Sequence, residues 1–206
     1  MERRTNAGGF VSTLDFWFEF GSTYSYPAAM RIGDAARAAG VTVRWQPFLL
    51  GPVFQSQGYA QSPILEVPAK AAYMWRDLAR LCGKYGLGWQ QPSHFPRTSV
   101  LGARIACSYA DAPWLENFVH AVYRANFAED RDVGDEAVIA ACLRTAGQQA
   151  AAVIAHATSE AERPRLRAQG VRAAELGLFG APSFVVNGEL FWGQDRLEDA
   201  LAWARR

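Results

Sequence analysis

The pattern of apolar and polar residues near the start of the chain predicts a strand, a helix and a second strand. Residues 14–20, with the sequence LDFWFEF, place acidic residues among aromatic ones, which is typical of a strand with a packed inward face. Pro27 occupies a favourable first-turn position for a helix over 28–39 that ends at Gly40. The second strand follows over 41–48. A helix between two strands favours a parallel pair with a right-handed crossover.

The middle of the chain is predicted to be a loop followed by helices. Residues 51–68 are rich in Gly, Pro, Gln and Ser, which favours a long surface loop. Residues 69–175 are rich in Ala and have few β-branched runs, a composition typical of packed helices. We expect breaks between these helices near 83–96, 111–113, 130–135 and 147.

The end of the chain returns to strands and closes with a helix. Residues 181–192 form two apolar runs around Asn187 and Gly188. This pair is a strong hairpin signal, because a type I′ turn needs positive φ at both central residues. A final helix over 196–205 is predicted to start at Asp195, with Glu198 completing a capping box.

The order of these elements matches an α/β thioredoxin-like fold split by a large all-helical insertion, as in DsbA. We predict a discontinuous thioredoxin-like domain over 10–68 and 176–206 and a helical insertion domain over 69–175. Strands from both ends of the chain would then meet in one sheet. The local patterns alone leave other α/β arrangements open.

Composition and charge narrow the class of protein. The 206 residues are 50% hydrophobic and 20% charged, the profile of a globular chain that can bury a core without disulfides or metal. The net charge of +1 supplies no field to attract nucleic acid or an anionic membrane. No apolar stretch approaches the roughly 20 residues of a membrane helix. Residues 1–9 lack the apolar core of a secretory signal, which predicts a short frayed tail and a cytoplasmic protein.

The three cysteines give no sign of redox or metal chemistry. Cys82, Cys107 and Cys142 are far apart, form no C-x-x-C and have no histidine at metal-ligand spacing. We therefore expect no disulfide framework and no metal site, and we interpret these cysteines as small buried apolar residues.

The strongest chemical signal is the turn at 21–27, GSTYSYP, which follows a strand and opens a helix. The N–H groups and the positive end of the helix dipole favour a bound anion at such a place. Ser22 and Ser25 have the spacing of the C-x-x-C of thioredoxin-like redox proteins, so this site cannot exchange disulfides. The Ser22 hydroxyl could instead donate a hydrogen bond to another molecule's thiolate and lower that thiol's pKa from about 8.5. Alternatively, Ser22 only caps the helix.

The chain resembles the 2-hydroxychromene-2-carboxylate isomerase family, which groups with kappa-class glutathione transferases and is related to the DsbA disulfide oxidoreductases. The resemblance is carried by the strand and serine turn FxFGSTYSY, by FLLGPVF and PAKAAYMWRDL, and by the C-terminal GAPSFVVNGELFWGQDRL. These segments span nearly the whole chain. The joint occurrence of the serine turn and the C-terminal block is much more specific than either alone.

The resemblance implies that the chain uses glutathione as a cofactor. Ser22 would lie beside the glutathione sulfur and activate its thiol. The peptide bond before Pro182 would be cis, which an X-Pro bond permits, and the backbone of Ala181 would pair with the cysteinyl part of glutathione. Without the resemblance, Pro182 would be an ordinary trans proline at the start of an edge strand.

The resemblance also implies contacts at the two ends of glutathione. Gln194 and Asp195 match positions that hold the γ-glutamyl end, although Asp195 could be only an N-cap. Lys70 matches a lysine that, by the resemblance, approaches glutathione at its glycine carboxylate. Without the resemblance it would be a solvated helix lysine. Gln61 replaces an asparagine that some members of the family carry. The polar contact from this loop, and the substrate preference, can therefore differ from those of the family.

Aromatic residues supply the candidates for an apolar substrate pocket, because planar aromatic ligands are usually held in mostly apolar clefts. The candidates are Phe54, Tyr59, Tyr73, Trp75 and Trp192. The alternative for each of them, which their residue types favour, is a place in the core.

From this resemblance we expect a cytoplasmic, glutathione-dependent isomerase that acts on 2-hydroxychromene-2-carboxylate or a similar intermediate of aromatic breakdown. We expect it to be a homodimer whose partners are glutathione and a small aromatic substrate. One alternative is a kappa-like glutathione transferase or peroxidase. Another is a redox-inactive DsbA-like protein that binds glutathione, a peptide or a protein by strand addition.

Overall fold

A mixed four-stranded sheet forms the centre of the fold in the computed structural model, which describes residues 12–60 and 62–206. Its strands are β1 (Thr13–Phe18), β2 (Thr42–Pro47), β3 (Ser183–Val186) and β4 (Glu189–Trp192). Their order across the sheet is β2-β1-β3-β4. β1 pairs in parallel with β2 and antiparallel with β3, so strands from both ends of the chain meet, as predicted.

Helices surround the sheet and fill the middle of the chain. Within the described residues they are α1 (Ser25–Ala39), α2 (Leu50–Ser56), α3 (Pro68–Tyr85), α4 (Val100–Ser108), α5 (Leu115–Phe127), α6 (Glu136–Thr145), α7 (Ala150–Thr158), α8 (Arg163–Glu175) and α9 (Leu197–Ala204). Gly40, with a φ of 69°, ends α1 as predicted. The expected breaks in the helical segment are present, and one further break at 159–162 separates α7 from α8. No helix in 12–60 or 62–206 is long and apolar enough to cross a membrane.

β1 is buried on both faces rather than on one inward face. Phe16 and Phe18 belong to the larger core, while Trp17 packs on the opposite face against Phe48, with their ring centroids 5.9 Å apart. Truncation of such a buried aromatic to alanine typically costs about 3–5 kcal/mol. Helices therefore pack against both sides of the sheet, and β1 is held firmly at the point where the chain enters the serine turn.

The segment predicted as a long loop contains the short helix α2, so that prediction was wrong in part. Pro52 lies in the first turn of α2, where a backbone N–H would have no acceptor within the helix, so proline is tolerated there. Leu50 and Val53 pack against the cluster around Trp17. Burial of these two side chains stabilises a helix that the polar composition of the segment did not indicate.

The C-terminal hairpin is confirmed, but the predicted helix cap is not. Asn187 and Gly188 have φ values of 51° and 81°, as a type I′ turn requires. A 3₁₀ turn over Gln194–Arg196 precedes α9, and no side chain caps either element. The Asp195 carboxylate instead pairs with the Arg196 guanidinium at 2.9 Å, so the capping-box prediction was wrong.

Candidate active site

A cavity of about 780 Å³ lies beside the serine turn. Its wall is built from the turn between β1 and α1, from α2 and the residues after it, from the start of α3, from residues 95–100 and from the loop before β3. The volume is within the range of cavities that hold small molecules. Segments that are distant in sequence thus form one site at the end of β1.

Ser22 lies on the wall of this cavity with its hydroxyl already oriented. Its Oγ donates a hydrogen bond to the backbone carbonyl of Ala181 at 3.0 Å, and the Ser22 Oγ also accepts from the Ser25 N–H at 3.4 Å. Ser22 is almost fully buried apart from the cavity. α1 begins at Ser25 with Tyr24 at its N-cap position, and the Tyr24 side chain makes no capping bond. The Ser22 hydroxyl therefore serves the first N–H of α1 as a cap would, and it also reaches across to Ala181.

The loop before β3 faces the serine turn. Ala181 lines the cavity, and the Ala181–Pro182 peptide bond is cis, as expected. Pro182 itself is not part of the wall, and its carbonyl accepts a hydrogen bond from Gly193 N–H at 2.9 Å. The hydrogen bond from the Ser22 hydroxyl shows that the backbone of Ala181 lies beside Ser22, so a ligand contacting one residue would meet the other.

The polar residues expected at the two ends of a ligand lie in different places. Lys70 lines the cavity from the exposed first turn of α3. Gln61 falls outside the described residues. Gln194 and Asp195 are not part of the cavity wall, and Asp195 is largely exposed. The Oε1 atom of Gln194 is buried and has no hydrogen-bond partner among the described residues.

Three of the five predicted aromatic residues line the cavity: Phe54, Tyr59 and Trp192. Tyr73 is 60% exposed on α3 and does not reach the wall. Trp75 packs edge-on against Phe95, with their ring centroids 4.8 Å apart, and Phe95 rather than Trp75 lines the cavity. The structure therefore does not bring Tyr73 and Trp75 to the cavity.

Phe179 and Glu19 are among the residues of the wall that the sequence interpretation missed. Phe179 lies edge-to-face against Trp192, with their ring centroids 5.0 Å apart, and extends the aromatic part of the wall. Glu19 adds a carboxylate that accepts a hydrogen bond from the Ser99 hydroxyl. Burial raises the pKa of Glu19, and the Ser99 hydroxyl and the nearby Gly21 backbone partly oppose the rise. The sequence feature that could have indicated Glu19 is its place as an acidic residue between two phenylalanines, three positions before Ser22.

Across residues 12–60 and 62–206, no group of three or more His, Cys, Asp and Glu side chains is arranged to hold a metal ion. The chemical groups that the cavity offers are hydroxyls, one carboxyl, phenols, two cations and backbone amides among the described residues of its wall. These groups can donate hydrogen bonds to an anion and can exchange protons.

The fold and the serine turn define a thioredoxin-like protein of the DsbA type without a cysteine pair. The family model of the DSBA-like thioredoxin domain matches residues 13–202. Over 188 residues the chain is 30% identical to the 2-hydroxychromene-2-carboxylate isomerase of Sphingobium xenophagum, covering 91% of this chain and 95% of the relative. It is 28% identical to the protein of the same name from Pseudomonas putida, covering 89% and 90% of the two chains.

A solved structure of a 2-hydroxychromene-2-carboxylate isomerase superposes with a TM-score of 0.82 at 27% identity. The alignment covers 93% of this chain and 95% of that one. The chain therefore belongs to the DSBA-like thioredoxin family and, within it, to the 2-hydroxychromene-2-carboxylate isomerase family.

Proposed function

We propose that this chain is a glutathione-dependent isomerase of 2-hydroxychromene-2-carboxylate or a closely similar compound. The observation that carries the proposal is the place of Ser22. Its hydroxyl lies at the start of α1, on the wall of the large cavity, where redox-active relatives of this fold carry a cysteine. The shared name of the relatives supports an isomerase.

Ser22 and the first turn of α1 would stabilise an anionic sulfur. The serine hydroxyl is a hydrogen-bond donor, and the N-terminus of α1 adds positive potential, so both lower the pKa of a thiol placed beside them. When bound, glutathione would supply a thiolate that adds reversibly to a conjugated carbon, so that a double bond becomes single and can rotate. No electrons are exchanged, which agrees with serines at positions 22 and 25.

In this proposal a peptide-like thiol with charged ends would be held by residues on and beside the cavity wall. Beyond the cavity wall, the exposed Asp195 carboxylate would meet the ammonium of the γ-glutamyl end. Lys70 would meet a carboxylate from the wall of the cavity. The backbone of Ala181 would hold the cysteinyl part next to Ser22. Phe54, Tyr59 and Trp192 would pack against an aromatic substrate.

Calorimetric titration with reduced glutathione, combined with the ultraviolet thiolate band of the bound ligand, tests this proposal. The wild type and Ser22→Ala should both bind. The thiolate band and chromene turnover should fall only in Ser22→Ala, with turnover reduced by about 100-fold or more, as for loss of one donor to a developing anion. Ser25→Ala is the matched control, because Ser25 is fully buried and does not line the cavity.

Three results would contradict the proposal. The first is no glutathione binding by the wild type at millimolar concentration. The second is a stable conjugate with a simple electrophile and no chromene turnover, which would indicate a transferase. The third is full activity of Ser22→Ala with ligand binding retained, which would favour a binding protein.

A further inference from the structure

Glu19 presents a carboxyl group in the cavity that the proposed thiol chemistry does not use. Its backbone carbonyl accepts a hydrogen bond from the Ser22 N–H at 2.9 Å, so one tight turn joins the two residues. A Cβ atom on Gly21 would lie 3.1 Å from the Glu19 Oε2 atom. The carboxylate therefore lies directly against the serine turn, and it is held there by the Ser99 hydroxyl.

Among residues 12–60 and 62–206, no cation forms a direct ion pair with the Glu19 carboxylate. The Arg97 guanidinium is directed to Asp130 and to the carbonyl oxygens of Asn126. Tyr123 donates its hydroxyl to the Glu19 backbone carbonyl at 3.0 Å, and burial together with the Glu19 charge raises the pKa of Tyr123. Besides Arg97, the described cavity wall carries one other cation, Lys70. The phenol groups on the same wall belong to Tyr24 and Tyr59.

The chemistry of a 2-hydroxychromene requires a step before thiol addition. Such a compound is a cyclic hemiketal, in which the carbon that carries the hydroxyl is saturated. Its neighbouring double bond is not conjugated to a carbonyl, so a thiolate has no activated carbon to attack. The ring must open to the ketone first, and this opening moves a proton from the hydroxyl to the ring oxygen.

We propose that Glu19 catalyses this ring opening, a separate activity that rests on the proposed function only for the identity of the substrate. The Glu19 carboxylate takes the proton of the hemiketal hydroxyl while the carbonyl double bond forms. The bond from that carbon to the ring oxygen breaks, and its electron pair goes to the ring oxygen. The ring oxygen then receives the proton from Glu19. One proton moves, nothing is oxidised or reduced, and glutathione is not needed.

The experiment measures ring opening without glutathione. The cyclic compound is mixed with protein, and the conjugated ketone is followed by its ultraviolet absorbance. The wild type and Ser22→Ala should both accelerate the approach to the ring–chain equilibrium. Glu19→Gln keeps the shape of the side chain but cannot relay a proton, and it should lose about 100-fold or more of this rate. With glutathione present, Glu19→Gln should still show the thiolate band, which establishes that it is folded.

Ser99→Ala provides a second variant that leaves the carboxyl in place. The Ser99 hydrogen bond lowers the pKa of Glu19, so its loss should raise that pKa. Because the carboxylate form accepts the proton, ring opening falls as the pH falls through this pKa, and the fall should occur at higher pH in Ser99→Ala. The inference is overturned if glutathione-free wild type does not accelerate ring opening, if Glu19→Gln is as fast as wild type, or if Ser22→Ala is equally slow. Failure of glutathione binding would leave these rates unaffected and would contradict only the proposed function.

Discussion

The hydroxyl of Ser22 donates a hydrogen bond to the backbone carbonyl of Ala181 at 3.0 Å, across 159 positions of sequence. This bond joins the turn before α1 to the loop before β3, and so connects the two ends of the chain at the site. The acceptor is a neutral carbonyl. An anionic sulfur is a stronger acceptor, so it would draw the hydroxyl away from Ala181 at little cost.

Ser22→Cys should give a thiol with a pKa below the free value of about 8.5, because it would lie at the N-terminus of α1 next to the Ser25 N–H. The rate of alkylation by iodoacetamide as a function of pH measures this pKa. We expect the variant to be labelled at pH 7 faster than free glutathione. A midpoint at or above that of free thiols would mean that the turn does not stabilise an anion, and it would remove the basis of the role given to Ser22.

The native cysteines should not interfere with that measurement. Burial raises the pKa of Cys82 and Cys142 to about 11 and that of Cys107 to about 12. Since the thiolate is the reactive form, folded wild type should resist iodoacetamide at pH 8 and keep its activity. All three thiols should react after denaturation in urea, as counted by mass spectrometry. Rapid labelling of the folded protein would show that these side chains open to solvent.

Gly180 controls the position of Trp192 on the cavity wall. A Cβ atom at Gly180 would lie 2.5 Å from the Trp192 Nε1 atom, so Gly180→Ala must displace the indole. Loss of one aromatic contact is worth about 0.5–1.5 kcal/mol, so KM for the aromatic substrate should rise about 2- to 10-fold with kcat little changed. Trp192→Ala should give a similar KM.

Gly170 is the matched control for that substitution. It lies within α8, and an added Cβ would meet nothing within 4 Å. Gly170→Ala should leave KM unchanged and stabilise the protein by up to about 1 kcal/mol through helix propensity. A wild-type KM in Gly180→Ala would exclude Trp192 from substrate binding.

Local signals in the sequence were sufficient for the elements at both ends of the chain. The Asn187–Gly188 pair imposes its turn by its own backbone preferences, and Gly40 ends α1 for the same reason. The place of Ser22 could also be predicted, because a turn between a strand and a helix is defined by adjacent residues. By contrast, α2 depends on contacts between Leu50, Val53 and a cluster formed by distant segments, which no local pattern contains.

The role of Glu19 could not be separated from that of Asp15 by sequence. The two acids are four positions apart in the strand predicted over 14–20, where alternation would put them on one face, so the pattern treats them alike. Only the folded chain shows that Asp15 pairs with Arg44 at 2.6 Å, whereas Glu19 meets Ser99 beside the cavity. The first acid stabilises the sheet and the second remains available for chemistry. Tertiary partners, rather than residue type, make this distinction.

Stability should depend on pH through His120, which lies between α5 and α1. Its Nε2 atom is 2.9 Å from the Ala29 carbonyl oxygen, and burial lowers the pKa of His120. A lowered pKa means that the folded protein binds fewer protons than the unfolded chain below about pH 6.5. Stability is therefore fully present above that pH and is lost as the pH falls through the folded-state pKa.

Urea unfolding at pH 7.5 and pH 5.5 tests this dependence. The free energy of unfolding of the wild type should drop between the two pH values more than that of His120→Gln, whose amide can still donate to Ala29 but cannot take a proton. The exposed His94 provides the matched control, and His94→Gln should keep the wild-type drop. An equal drop in His120→Gln and wild type would show that other groups set the acid sensitivity of the fold, because the buried imidazole would then bind protons equally in the folded and unfolded states.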